Sequence, residues 1–154
     1  MATDVATGIA PQADGWTPAR IFMAASAVFH LPVAIVGLAI DQTFPLGADE
    51  AAHAGSEHIF GIFETNGWHS LAALLLGVVS LYFAVRPERA REAALAIGVG
   101  HVVIVLALTL WAPSTFLLAS DGADQVVHST TAIAGIGSAL LTRPLRHWGS
   151  RAAA

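Results

Sequence analysis

Histidine is the residue type through which this chain could do chemistry, and four of its seven histidines recur in one setting. His30, His69, His101 and His128 each lie in a long apolar segment, on a stripe of small and polar residues spaced three or four apart. The stripes are Ser26, His30, Ala34, Gly37 and Asp41; Asn66, His69, Ala73, Gly77 and Ser80; Ala94, Gly98, His101 and Val105; and Asp124, His128, Thr131, Gly135 and Ser138. An ionisable side chain inside a membrane span is costly to keep there, so it points to function by default. Two imidazoles at one depth on facing helices would make the axial pair of a haem b, with Gly or Ala leaving room for the flat ring. The plainer reading is a neutral imidazole donating to a neighbouring helix, with Ser26, Ser129, Thr131 and the carbonyl freed by Pro32 as acceptors.

A second set, Glu50, His53 and Glu57, falls at i, i+3 and i+7, one helical face with imidazole and carboxylate ligands for zinc or iron. The plainer reading of the same residues is a solvated acidic loop. With no cysteine in the chain, thiolate metal sites, disulfides and thiol catalysis are excluded. The glycine pairs Gly98, Gly100 and Gly135, Gly137 follow no strand, so they are not phosphate loops. Together with Gly37 and Gly77, Gly98 and Gly135 are read as helix-packing positions. No nucleophile, base and orienting acid can be assembled from the sequence, so no catalytic residue is assigned.

The elements that carry these residues are membrane spans. Of the 154 residues 55% are hydrophobic and only 12% charged, and the mean hydropathy is +0.66, which takes the chain out of the soluble class. The expected fold is an all-α integral membrane protein with four transmembrane helices in an up-down-up-down bundle. Spans are expected at about 17–40, 66–85, 90–111 and 123–142 within a membrane domain of 16–148, flanked by tails at 1–15 and 149–154. In lipid the acyl tails are as apolar as Leu, so the small and polar stripe is the one that meets other helices. Residues 41–65 form a long acidic connection in which Ala48–His58 could be helical and Ile59–Phe63 could lie in the interface or cap the bundle. All seven basic residues are arginines, and none lies in the connections at 41–65 and 112–122, which places both termini in the cytoplasm by the positive-inside rule. Trp16, Trp68, Trp111 and Trp148 all fall at expected span ends, where indole sits between headgroups and tails. The Ala, Gly, Val and Arg bias suggests a bacterial inner membrane. The net charge of −4, with arginines only near span ends, gives no support for nucleic-acid binding.

The first two spans resemble the last two: a mid-span histidine, a loop, a histidine one turn inside the next span, then a glycine about two turns on. This weak two-hairpin repeat would be parallel, about an axis along the membrane normal. In such a bundle alternate spans are diagonal, so His30 is expected to face His101 and His69 to face His128. A rise of about 1.5 Å per residue puts the first pair roughly 15 Å and the second roughly 5 Å below the outer surface. Levels about 10 Å apart would let two haems collide. A proton or cation relay through His30 and His101 lacks a carboxylate at their depth.

At 61–77 and 124–135 the chain resembles a family of small four-span bacterial membrane proteins, the domain of unknown function 4383. That family carries an Asn-x-x-His segment opening one span with a glycine about two turns later, matched by Asn66, His69 and Gly77. It carries Asp-Asn-x-x-His at the last span, matched by Asp124, Gln125 and His128, with Gln125 in place of Asn. Ala73 stands where members often have a second histidine. The resemblance covers roughly residues 20–142 and implies four spans but no established activity. The first functional reading is an accessory or interaction subunit, uncharacterised in activity, that meets the lipid bilayer and other membrane proteins or its own copies. The alternative is a haem- or metal-binding redox membrane protein using His30 with His101 or His69 with His128.

Overall fold

The computed structural model describes residues 15–46, 57–110 and 121–142. Four helices dominate: α1 Pro18–Ile40, α2 Gly67–Ala84, α3 Ala90–Leu110 and α4 Gly122–Leu141. Between α1 and α2 lies a small antiparallel pair, β1 His58–Ile59 and β2 Phe63–Glu64. Three helices, α1, α2 and α3, are long and apolar enough to cross a membrane. The fourth, α4, has the length but not the apolarity, because Asp124, Gln125, His128, Ser129, Thr130 and Thr131 crowd its first half. Glu50, His53 and nearly all of Ala48–His58 fall outside the described residues, as do Trp111 and Trp148.

Local signals set the helix starts. Thr17 caps α1, its side chain accepting from the Arg20 amide, with Pro18 in the first turn where its missing N–H costs nothing. Asn66 caps α2 by accepting the His69 amide at 2.8 Å. Asp121 and Asp124 form a capping box at α4, each carboxylate accepting the other's backbone amide at 2.9 and 3.2 Å. Helix α1 runs unbroken past Pro32.

Side chains are sorted as lipid requires. The buried positions of α1 to α3 are mostly Ala, Gly, Ser and His, whereas Val28, Ile35, Leu75, Leu106 and Ile133 are more than half exposed. Close approach at small residues holds each hairpin: a Cβ on Gly77 would stand 2.8 Å from Leu31, and one on Gly135 only 2.9 Å from the Ala94 carbonyl. Helices α1 and α2 pack along their length, as do α3 and α4, while contact between the hairpins is sparse. That contact runs mainly from α1 to both α3 and α4.

The two ends of the bundle differ. At the arginine end Ala19, Met23, Ala84, Ala90, Ala94 and Ala139 close into one core. There the Ala19 amide donates to Thr142 Oγ1 at 2.9 Å, tying α1 to the end of α4. Arg20 Nε donates to the Ala84 carbonyl, and Arg91 Nε to those of Ala139 and Thr142, so an arginine opening each hairpin satisfies the last carbonyls of its second helix. At the other end the hairpins part, and β1 and β2 roof the opening.

That roof answers where Ile59–Phe63 lies. Ile59 is buried beside Gly37 and Phe63 packs edge-on to Phe29, while Phe60 and Ile62 point outward. The turn between them bonds the Ile62 amide to the Ile59 carbonyl at 3.1 Å, with φ of 56° at Phe60 and 70° at Gly61. Positive φ at both central positions is a type I′ turn, which Gly tolerates and Phe does not. Phe60→Asn, which creates the Asn-Gly pair this turn prefers, is therefore expected to strengthen the roof by about 1 kcal/mol. Slower amide hydrogen exchange at Ile62 and Thr65 is the readout; unchanged exchange would mean the turn is not the weak point.

Candidate ligand site: a histidine-lined cavity

Under the roof, between the hairpins, lies a cavity of about 270 Å³. His30, His69, His101 and His128 all line it, one from each helix, with Asp124 as a fifth polar group. The remaining wall is apolar, from Phe29, Val33, Phe63, Leu76, Ile97 and Ile104. A chamber that is mostly apolar with a few convergent polar groups is the usual form of a small-molecule site.

The imidazoles form a row. His30 and His101 have ring centroids 6.4 Å apart, and His69 and His128 are 6.1 Å apart with planes inclined by 25°. His101 and His128 are closer still, at 5.4 Å. The two separate levels expected from helical rise thus merge. The reason lies in the helix ends: His101 is nine residues from Leu110 and His128 six from Gly122, so rise separates them by only about 5 Å.

Two of the rings are fixed by their own helices. His30 Nδ1 is 2.8 Å from the Ser26 carbonyl and His101 Nδ1 is 2.9 Å from that of Ile97. A carbonyl only accepts, so each Nδ1 carries the proton and each neutral ring keeps its lone pair on Nε2. Ser26 Oγ lies 3.2 Å from the same His30 nitrogen and 2.9 Å from Ser80 Oγ on α2, which steadies the ring from behind. These hydrogen bonds of His30 and His101 run within one helix, not between helices. His128 Nδ1 is buried with no hydrogen-bond partner among the described residues. Such an atom forfeits its hydration for nothing in return.

The sequence pattern singled out the histidines but passed over Asp124 as a site residue. Its place one turn before His128 was the available signal, since i and i+4 share a helix face. Asp124 is 4% exposed and faces the cavity that the histidines line, so a carboxylate does accompany them. Among the described residues no three His, Asp or Glu groups converge as ligands of a bare metal ion.

A family model described as Domain of unknown function (DUF4383) matches residues 20–141. The chain belongs to that family. The DUF4383 match takes in every residue lining the cavity. No curated protein and no solved structure matches the chain. In this DUF4383 protein Asn66 ends the loop and starts α2, which sets His69 in the first turn beneath the roof. Gly77, further along α2, is where Leu31 of α1 comes closest. Asp124 is the third residue of α4 and Asp121 its cap, so His128 lies in the second turn.

Proposed function

We propose that this DUF4383 protein is a multi-pass protein of the bacterial inner membrane that carries haem b between His30 and His101. All four helices cross the bilayer in this reading, with both termini cytoplasmic. Helix α4, at 20 residues, matches a hydrocarbon core about 30 Å thick, and Asp124 and His128 of its polar half line the cavity while Val126, Ile133, Leu140 and Leu141 face lipid.

One observation carries the haem reading. His30 and His101 lie on different hairpins, each with Nδ1–H held by a backbone carbonyl, and their rings are 6.4 Å apart across an apolar chamber. Metal-binding histidines are typically oriented in this way by a bond from the other ring nitrogen. A haem bound here would take one imidazole from each hairpin, His30 and His101, whose Nε2 lone pairs are left free for a metal. A bare ion needs three or four protein ligands, whereas haem brings four nitrogens and needs two. Bound haem would supply a one-electron couple; the chain's part would be to present the His30 and His101 imidazoles from opposite hairpins and keep water out with Phe29, Phe63 and Leu76. With His101 also 5.4 Å from His128, two macrocycles would collide in this row.

The test is a visible spectrum of the protein purified in mild detergent from haem-replete cells, before and after dithionite. A Soret band that shifts on reduction is expected. A colourless, folded protein would remove haem and leave an accessory subunit whose histidines serve packing, to be pursued through the proteins that co-purify.

A further inference from the structure

The corner where α1 begins and α2 ends has chemistry that the cavity does not use. Arg20, in the first turn of α1, spends Nε on the Ala84 carbonyl at 3.1 Å and Nη1 on the Gly15 carbonyl at 3.2 Å. Those bonds fix the plane of the guanidinium without neutralising it. Arg86 follows α2 by two residues, so the bond from Arg20 to Ala84 brings both cations to one corner. Each is backed by an aromatic ring, Arg20 by Trp16 at 4.9 Å and Arg86 by Tyr82 at 4.2 Å. Trp16 is 62% exposed and Tyr82 47%, as rings are at the level of lipid headgroups. Neither arginine pairs with a carboxylate among the described residues, whereas Arg91 lies 4.0 Å from Glu92. Glu88 is near in sequence but makes no such pair.

We propose that Arg20 and Arg86 bind the headgroup phosphate of an acidic phospholipid. Two guanidinium forks offer parallel N–H donors of the kind phosphate oxygens accept, and the planar group is more weakly hydrated than an ammonium, so it gives up water readily at the interface. Trp16 and Tyr82 flank the glycerol region and the upper acyl chain. Fixing Arg20 through two backbone carbonyls removes much of the entropy that a free surface arginine loses on binding. The acidic lipid is favoured over a free phosphate because the apolar flank of α1, with Ile21 and Val28 exposed below Arg20, offers the acyl chain a surface.

The inference rests on the membrane-spanning reading. Native mass spectrometry of the full chain in mild detergent, titrated with dioleoyl phosphatidylglycerol or dioleoyl phosphatidylcholine, tests it. A retained phosphatidylglycerol adduct, at least tenfold favoured over phosphatidylcholine, is expected. Arg86→Ala should weaken that adduct about fivefold, the size expected of one basic charge at an anionic surface, and Arg20→Lys should weaken it about twofold or more through loss of the fork, while Arg89→Ala changes it less than twofold. The Lys variant keeps the charge and the fold but loses the fork. Equal retention of the two lipids, an adduct indifferent to Arg86→Ala, or displacement by millimolar inorganic phosphate would each overturn the proposal. Failure of the membrane reading is separately visible, as release of the protein from vesicles by alkaline carbonate.

Discussion

Alanine at His30 or at His101 is expected to bleach the purified protein, with haem content falling below about a tenth of the parent. The loss should exceed the 10–100-fold drop in affinity that removal of a metal-orienting partner usually causes, because here an iron ligand itself is removed. Ser26→Ala sits one step back: it leaves the Ser26 carbonyl on His30 Nδ1 but deletes the hydroxyl that links His30 to Ser80, so it should weaken haem retention with the chromophore still present. Alanine at His69 should preserve a six-coordinate spectrum, since its ring stacks on that of His128 beneath the roof and the proposed ligands are His30 and His101. Free imidazole added to the His101→Ala protein during reconstitution should restore part of the band, because the deletion leaves a ring-sized space beside an intact His30. Identical spectra in the parent and in both His30→Ala and His101→Ala would sink the axial assignment. Retention of size-exclusion behaviour in the bleached variants separates ligand loss from unfolding.

The second large effect is expected at the crossing of α3 and α4. A Cβ on Gly135 would meet the Ala94 carbonyl and Gly98 Cα at 2.9 Å, and one on Gly98 would meet the Ile136 amide nitrogen at 2.7 Å and the Ala132 carbonyl at 3.0 Å. These neighbours are backbone atoms, which cannot turn aside as a side chain can. Gly135→Leu must therefore push the helices apart, at a cost of at least the 1–3 kcal/mol typical of overpacking. Titration with dodecyl sulfate, followed by helical circular dichroism, should show a clearly lower unfolding midpoint. Gly137→Ala is the control, since nothing lies within 4 Å of a Cβ there. If both variants unfold alike, the close crossing is not what holds the second hairpin. Spreading α3 from α4 would also separate His101 from His128, so the same variant should disturb the cavity from about two turns away.

Much of the helical frame was legible in the linear pattern. Apolar segments of span length, ended by Trp, Arg, Asn and Asp, are local signals, and the helices Pro18–Ile40, Gly67–Ala84 and Ala90–Leu110 follow them because backbone polar groups in lipid have little alternative to helix. The family is likewise written in short segments around Asn66, His69 and His128. The inward face of each helix could be read from small-residue spacing, since in lipid size decides which side packs.

Four things needed the third dimension. The histidine levels merged because the distance between rings depends on how far two antiparallel helices slide along one another, which no count within one helix contains. Asp124 joined the site because the two hairpins part at that end, leaving its buried side chain facing a cavity. The Ile59–Phe63 segment became a roof because Ile59 pairs with Phe63 across the turn at 60–62, and directly paired residues share a face, so that Ile59 and Phe63 go under while Phe60 and Ile62 stay out. The tight arginine end opposite an open histidine end arose from alanines of all four helices meeting at one depth. Spans, caps and small faces are properties of one segment and can be read from it. Where a cavity opens and what lines it are properties of the offset between segments, set by packing that residues distant in the chain decide jointly.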